Sequence, residues 1–325
     1  MDDNDNNTIT GSYTADLIGN IKSHLAGLQG YDVMAMELIQ NADDAKAGEI
    51  IFDITDKGLV IKNDAQFTYC GKLSDSLCQF YKKDNYICDY HRIIVVASGG
   101  KLVHKENIGR FGIGFISTYQ ITDRPDIQST GIKLILRPER RDWQLSKINQ
   151  VAGTAFFLPW ATDPDSDTRL VLGVSHISQS HIENLVEDFQ KVIRKGLLFL
   201  RHVRKAEVRR NGKLILGCEI NRGENFDLTL SFHPAGETEC WHLLHTDAKE
   251  SAEELYSVHP RLENLNRTTR VDIGIRIKPE SVKDGLLYAY LPSDQFIGLP
   301  LHINADFFPE PDRKAIIFAG HQHEQ

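Results

Sequence analysis

The chain has 325 residues, 41% of them hydrophobic and 25% charged, with a formal net charge of −8, which suits a globular protein of roughly two domains of about 150 residues each. No stretch approaches the roughly 18 to 20 apolar residues a membrane helix needs, so no membrane association is expected. The acidic balance weighs against a polyanionic partner: Arg201, Arg204, Lys205, Arg209, Arg210 and Lys213 form a basic stretch without interleaved aromatics, and no nucleic acid is expected.

In chain order, residues 1–10 read as a disordered acidic tail, with neither the basic n-region nor the apolar h-region of a secretory signal, and a cytoplasmic location is expected. Leu17, Ile18, Ile21 and Leu25 share one face of a mildly helical segment. A sharper helix is predicted from about Asp32 to Ala45, with Met34, Leu38, Ala42 and Ala45 at steps of three and four. Glu49–Ile54 and Gly58–Asp64 follow as strands. Ile93–Ala97 is a short apolar run ahead of a glycine-rich stretch, and Lys133–Leu136 and Thr154–Leu158 are strand candidates. A loop rich in Asp, Thr and Pro, about 161–169, is the best domain boundary, dividing 11–165 from 166–325. The second part opens on an amphipathic helix over 179–198. Asn211-Gly212 marks a hairpin between two strands, and further strands are predicted near 226–232, 239–245, 270–277 and 286–291.

Five cysteines, an odd and sparse set, point to a reducing compartment. Cys70, Cys78, Cys88 and His91 lack the closely spaced thiol pair usual at zinc sites and read as ordinary reduced residues.

Two constellations carry chemistry. On the predicted helix, Glu37, Asn41 and Asp44 stand at i, i+4 and i+7 on one face, opposite the apolar stripe. An amide oxygen there can ligate Mg²⁺ and a carboxylate can polarise a water for attack on phosphorus. By itself the stripe also fits a solvated helix face. The second constellation is Gly109-Arg110-Phe111-Gly112-Ile113-Gly114-Phe115, a glycine-rich loop leading into a helical segment, which lets backbone N–H groups approach an anion. It lies behind an acidic helix instead of directly after a first strand, against a dinucleotide fold, and no Gly-Lys-Ser/Thr closes it as in a P-loop.

In this order the two motifs resemble the N box and G2 box of the GHKL ATPases. Glu37-Leu38-Ile39-Gln40-Asn41-Ala42-Asp43-Asp44-Ala45 and Ile108–Phe115, with Tyr119–Pro125 after it, are similar to the sacsin-like members of the heat-shock-chaperone branch. Ser98-Gly99-Gly100-Lys101 resembles the lid segment before the G2 box. Gly153-Thr154 resembles the late Gly-Thr strand, and Leu299–Phe308 with Arg313 resembles a later sacsin-type motif.

The resemblance implies an α+β fold: a Bergerat-type α/β sandwich, its sheet mixed and largely antiparallel with helices on one face, with a lid over about 68–106, then a second, middle-type α+β domain. It implies ATP and Mg²⁺ as ligands and an ATPase activity. Glu37 would be the general base, with Asn41 holding Mg²⁺ and Asp64 meeting the adenine amino group beside Thr154. Ser98–Lys101 and Gly109–Phe115 would line the phosphates, and Arg313 or Lys314 would reach the γ-phosphate. It also implies a protein client or partner subunit and leaves a homodimer open. The chain departs from the pattern after Asp64, where Ala65-Gln66-Phe67-Thr68 lacks both usual glycines. A nucleotide-sensing module with little turnover, such as a subunit of a bacterial defence or quality-control system, is the alternative. A histidine kinase is disfavoured, because His24 is followed by Leu25 and not by an acid.

Overall fold

Two helices begin the described chain, α1 (Leu17–Leu25) and α2 (Tyr31–Asp44). The computed structural model describes residues 17–73, 78–84, 86–98, 113–223, 227–258, 268–310 and 312–317. The turn between the two helices ends on Gly30 at φ 115°, a conformation glycine adopts without steric cost. Its amide donates to Gln120 Oε1 at 2.9 Å, while Gln120 Nε2 donates to Leu28 O, so a distant side chain sets where α2 starts.

A hairpin follows, β1 (Glu49–Ile54) and β2 (Gly58–Asn63). Then come α3 (Gln79–Asp84), α4 (Asp89–Ser98) and the short α5 (Ile113–Ile116), which runs into a 3-10 turn over Ser117–Gln120. The apolar run 93–97 thus lies in a helix; five apolar residues fit either state, and tertiary packing decides. Four strands close this part: β3 (Asp126–Ser129), β4 (Ile132–Arg137), β5 (Asp142–Lys147) and β6 (Thr154–Pro159). The alternating burial of β1, β4 and β6 marks a sheet with one face fully covered, as their period-two apolar residues require.

The stretch 161–169 holds the turn into α6 (Asp167–Leu172), whose N-cap Ser166 accepts from Arg169 N. The long α7 (Gln179–Gly196) follows. Next come β7 (Lys205–Arg210), β8 (Lys213–Asn221), β9 (Leu228–His233), β10 (Glu237–Asp247), α8 (Lys249–Val258), β11 (Arg270–Lys278), β12 (Leu286–Ala289), β13 (Leu291–Phe296) and β14 (His302–Ala305). Asn211 and Gly212, at φ 48° and 79°, make the tight β7–β8 turn that the Asn-Gly pair predicts.

The described strands form one 14-stranded sheet in the order β13-β12-β14-β11-β10-β9-β8-β7-β1-β2-β6-β3-β4-β5. It is mixed and largely antiparallel; β1 pairs parallel to β7, and this pairing joins the two halves of the chain. The helical layer bridges the same seam. α7 packs on α2 and β7, and Phe189 meets Phe52 of β1 edge-on at 4.9 Å. The expected fold class is therefore borne out, with its two halves sharing a sheet. No described helix is long and apolar enough to cross a membrane.

Candidate functional site

α2 is the axis of the site, and it is buried on more sides than its sequence implies. Residues 33–39 are all buried, Glu37 included at 9% exposure. The polar stripe therefore does not lie opposite the core: its members divide between two recesses. Asn41 joins Leu38 and Ala42 in the wall of an apolar cavity of about 20 Å³, completed by Ile61, Asn63, Phe67, Phe115 and Thr154 among others. Asp44 faces a separate polar cleft of about 350 Å³, with Gln40 one turn before it and Arg313 across from it.

Glu37 stands between the two. Arg313 Nε donates to Glu37 Oε1 at 2.6 Å and its second terminal nitrogen donates to Gln40 Oε1 at 2.6 Å, so one guanidinium clamps two residues of α2. Arg313 sits at φ 58° in a tight turn, where its own N–H donates to Glu310 O. Of the two basic candidates the structure thus brings one to the helix. Lys314 is exposed, and its backbone N–H donates to Asp312 Oδ1. On the other side of Glu37, α5 comes so close that a side chain at Gly114 would overlap the carboxylate. Glycine at this position is a packing requirement of Glu37.

Asp64 stands outside the cavity wall. Leu59, Ile61 and Asn63 of β2 point to the helix-covered face, so residue 64 leaves on the opposite side. Asp64 is exposed, and its Oδ1 accepts from Gly48 N at 2.7 Å and Glu49 N at 3.2 Å, tying the start of β1. Asn63 lines the cavity instead, paired in register with Ile50 and Thr154, and its Oδ1 accepts from Ala65 N. Counted from Asn63, the positions of the two absent glycines hold Ala65 and Phe67.

The loop closes without those glycines because other groups take over. Phe67 N donates to Ser129 Oγ at 3.0 Å, and Thr154 Oγ1, 2.9 Å from that hydroxyl, donates to Ala65 O at 2.7 Å. The Phe67 ring fills the space behind, edge-on to Tyr90 and Phe156. Burial pushes the Tyr90 hydroxyl up to about 12, keeping it protonated as the donor to Ser129 O at 2.8 Å. Gly153, at φ 72°, allows the backbone of β6 to pass close against Asn63 O. Thr154 is therefore in the cavity wall as expected, but its hydroxyl already serves the loop.

Of the other expected residues, Phe115 is buried in the cavity wall. Gly99, Gly100, Lys101, Gly109, Arg110, Phe111 and Gly112 lie outside the described residues, as do the side chains of Ser98 and Ile113.

Sequence reasoning missed Asp43. This carboxylate is 1% exposed and accepts the backbone N–H groups of Arg201, His202 and Val203 at 3.1, 2.7 and 2.8 Å; Tyr290 O–H donates to it as well. It fixes the C-terminal turn of α2 to the second half of the chain. The signal was its place within the acid-rich run, one step off the stripe that drew attention.

The comparisons with known proteins bear on this geometry. Residues 14–146 match the Sacsin domain. Sacsin of Homo sapiens is 32% identical over 126 residues, covering 38% of this chain and 3% of that protein. Protein NO VEIN of Arabidopsis thaliana is 32% identical over 101 residues, covering 30% and 3%. The chain thus matches only about 3% of the length of these relatives. Among solved structures, the N-terminal domain of a DNA repair protein aligns over 94% of this chain and 93% of its own at TM-score 0.48 and 12% identity. The ATPase domain of the mismatch repair endonuclease MutL of Aquifex aeolicus aligns over 86% and 91% at TM-score 0.44 and 8% identity. The resemblance to sacsin-like modules is borne out over residues 14–146, the stretch that matches. That domain contains Glu37, Asn41 and Asn63, whereas Thr154 and Arg313 come from beyond the matched stretch.

Proposed function

We propose that the chain binds ATP with its base in the cavity between α2 and β2, and hydrolyses it with Glu37 as general base. The observation that supports this most directly is the convergence of Asn41, Asn63 and Thr154 on an apolar recess one helical turn from a carboxylate clamped by an arginine. Apolar walls with a few convergent polar groups are what a purine ring needs. Asn63 Oδ1 keeps a lone pair for an amino group after accepting from Ala65 N, so it takes the base-recognition role in place of Asp64.

Asn41 presents an amide oxygen, a hard donor suited to Mg²⁺, and the chemistry of the residues fits that ion; bound with the phosphates, it would neutralise their charge. Glu37 takes the proton of the attacking water, and Arg313 provides the cation for the transferred phosphoryl. Arg313 must leave Glu37 to do so, which frees the carboxylate when phosphate is present. The same ion pair supports a second reading, a nucleotide-sensing module of low turnover, because it occupies the base while the site is closed. A cavity of about 20 Å³ is far below the roughly 300 Å³ of ordinary ligand pockets, so the wall at Phe67 and Phe115 must open for the base to enter. A protein client or partner subunit would read that opening.

Calorimetric titration of ATP into the full chain tests the base site. Asn63→Ala should weaken binding about tenfold or more, whereas Asp64→Asn should leave it within about a factor of two. A larger loss in Asp64→Asn than in Asn63→Ala would return base recognition to Asp64.

A further inference from the structure

Four buried side chains beside the cavity converge without serving the proposed ATP chemistry. Cys70 follows the Asn63–Phe67 loop, Cys78 directly precedes α3, Cys88 directly precedes α4, and His91 lies in the first turn of α4. Their three Sγ atoms and one imidazole nitrogen all lie within 4.8 Å of one another. Cys70 Sγ is 3.4 Å and Cys88 Sγ 3.2 Å from His91 Nδ1.

We propose that Cys70, Cys78, Cys88 and His91 are a structural Cys₃His zinc site. Zinc–sulfur and zinc–nitrogen bonds of about 2.3 and 2.0 Å at tetrahedral angles place ligand atoms roughly 3.5 to 3.8 Å apart, close to the separations found here. The donor set is soft and closed, three thiols and an imidazole with no carboxylate, which favours zinc over magnesium or calcium. Two thiols lie against one imidazole nitrogen, with Lys72 O a further acceptor for Cys70 Sγ at 3.6 Å, in a pocket where all four residues are at most 9% exposed. The outer shell is also of the kind that orients thiolate ligands: Cys88 N donates to Cys78 Sγ at 3.4 Å. The spacing Cys88-x-x-His91 on the start of a helix supplies a close ligand pair, and it is formed by a cysteine and a histidine, so a search for paired thiols passes over it.

The consequence is mechanical. Three segments that sequence places apart become one unit, reinforced by Thr68, whose N–H and hydroxyl both donate to Asp89 Oδ2. Phe67 lies three residues before Cys70 and Ile93 two after His91, and both line the cavity. The zinc site therefore stands behind one wall of that cavity and holds it in place.

Metal analysis of the full chain, purified under reducing conditions without chelator, tests this. About one zinc per chain is expected, and Co²⁺ substituted for it should give the intense absorption of tetrahedral cobalt thiolate. Cys88→Ser should reduce zinc to near zero while Cys240→Ser, remote in sequence and outside the cluster, retains it. His91→Cys, which preserves a four-ligand set, should keep zinc and shift the cobalt spectrum. Zinc-free wild-type protein that also fails to take up Co²⁺ would overturn the proposal, as would a Cys70–Cys88 disulfide in that protein or full zinc occupancy in Cys88→Ser. The wild-type measurements decide the matter even if a variant does not fold, and none of them depends on ATP binding.

Discussion

Arg313 reaches across 276 positions of sequence to donate from Nε to the Glu37 carboxylate at 2.6 Å. The side chains are only 16% and 12% exposed, so this is a largely desolvated pair whose members depend on each other. Removing one partner leaves the other charge uncompensated, and Arg313→Met should lower unfolding stability by about 2 to 4 kcal/mol. Adding Glu37→Gln to that variant should recover most of the loss. Urea melts of the two variants and the wild type check this, and an unrecovered double variant would mean that Arg313 acts through packing alone.

Asp43 should matter more for stability than for chemistry. Asp43→Ala strands three backbone N–H donors, that of Val203 fully buried, and the Tyr290 hydroxyl, and a loss of about 3 kcal/mol is expected. Tyr290→Phe removes one donor and leaves the carboxylate satisfied by the other three, at about 1 kcal/mol. Chemical denaturation should preserve that order.

A pH dependence is expected from the second half of the chain. Burial, together with Arg276 nearby, pulls the His302 imidazole from 6.5 down to about 4, and the Leu286 amide donates to its Nδ1 at 2.8 Å. The unfolded chain takes up this proton near 6.5 and the folded chain only near 4. The contribution is therefore complete above about 6.5 and is lost as pH falls toward 4, by roughly 3 kcal/mol. His302→Asn keeps an acceptor for Leu286 and should flatten the stability profile across that window. Equal slopes in variant and wild type would place the titration elsewhere.

What the sequence made legible follows from periodicity. The α2 pattern, the β1–β2 hairpin and the Asn211-Gly212 turn are local signals, and each element forms where its pattern lies. β5 was not visible because it is an edge strand with no fully buried residue, so no apolar alternation marks it. The facing of β2 was legible in its alternation: Leu59, Ile61 and Asn63 share a strand face, so Asn63 lines the cavity and Asp64 does not. Other features depend on distant partners. Nothing near Glu37 announces Arg313, and the convergence of Cys70 with His91 exists only once α4 packs behind the Asn63–Phe67 loop.

The most direct measurement is ATP turnover set beside ATP binding in Glu37→Gln. Glutamine keeps an acceptor for Arg313 but cannot take a proton from water, so turnover should fall by at least about a hundredfold while affinity stays within about threefold of wild type. Unchanged turnover, or a wild-type chain that binds no ATP, would contradict the assignment of this site.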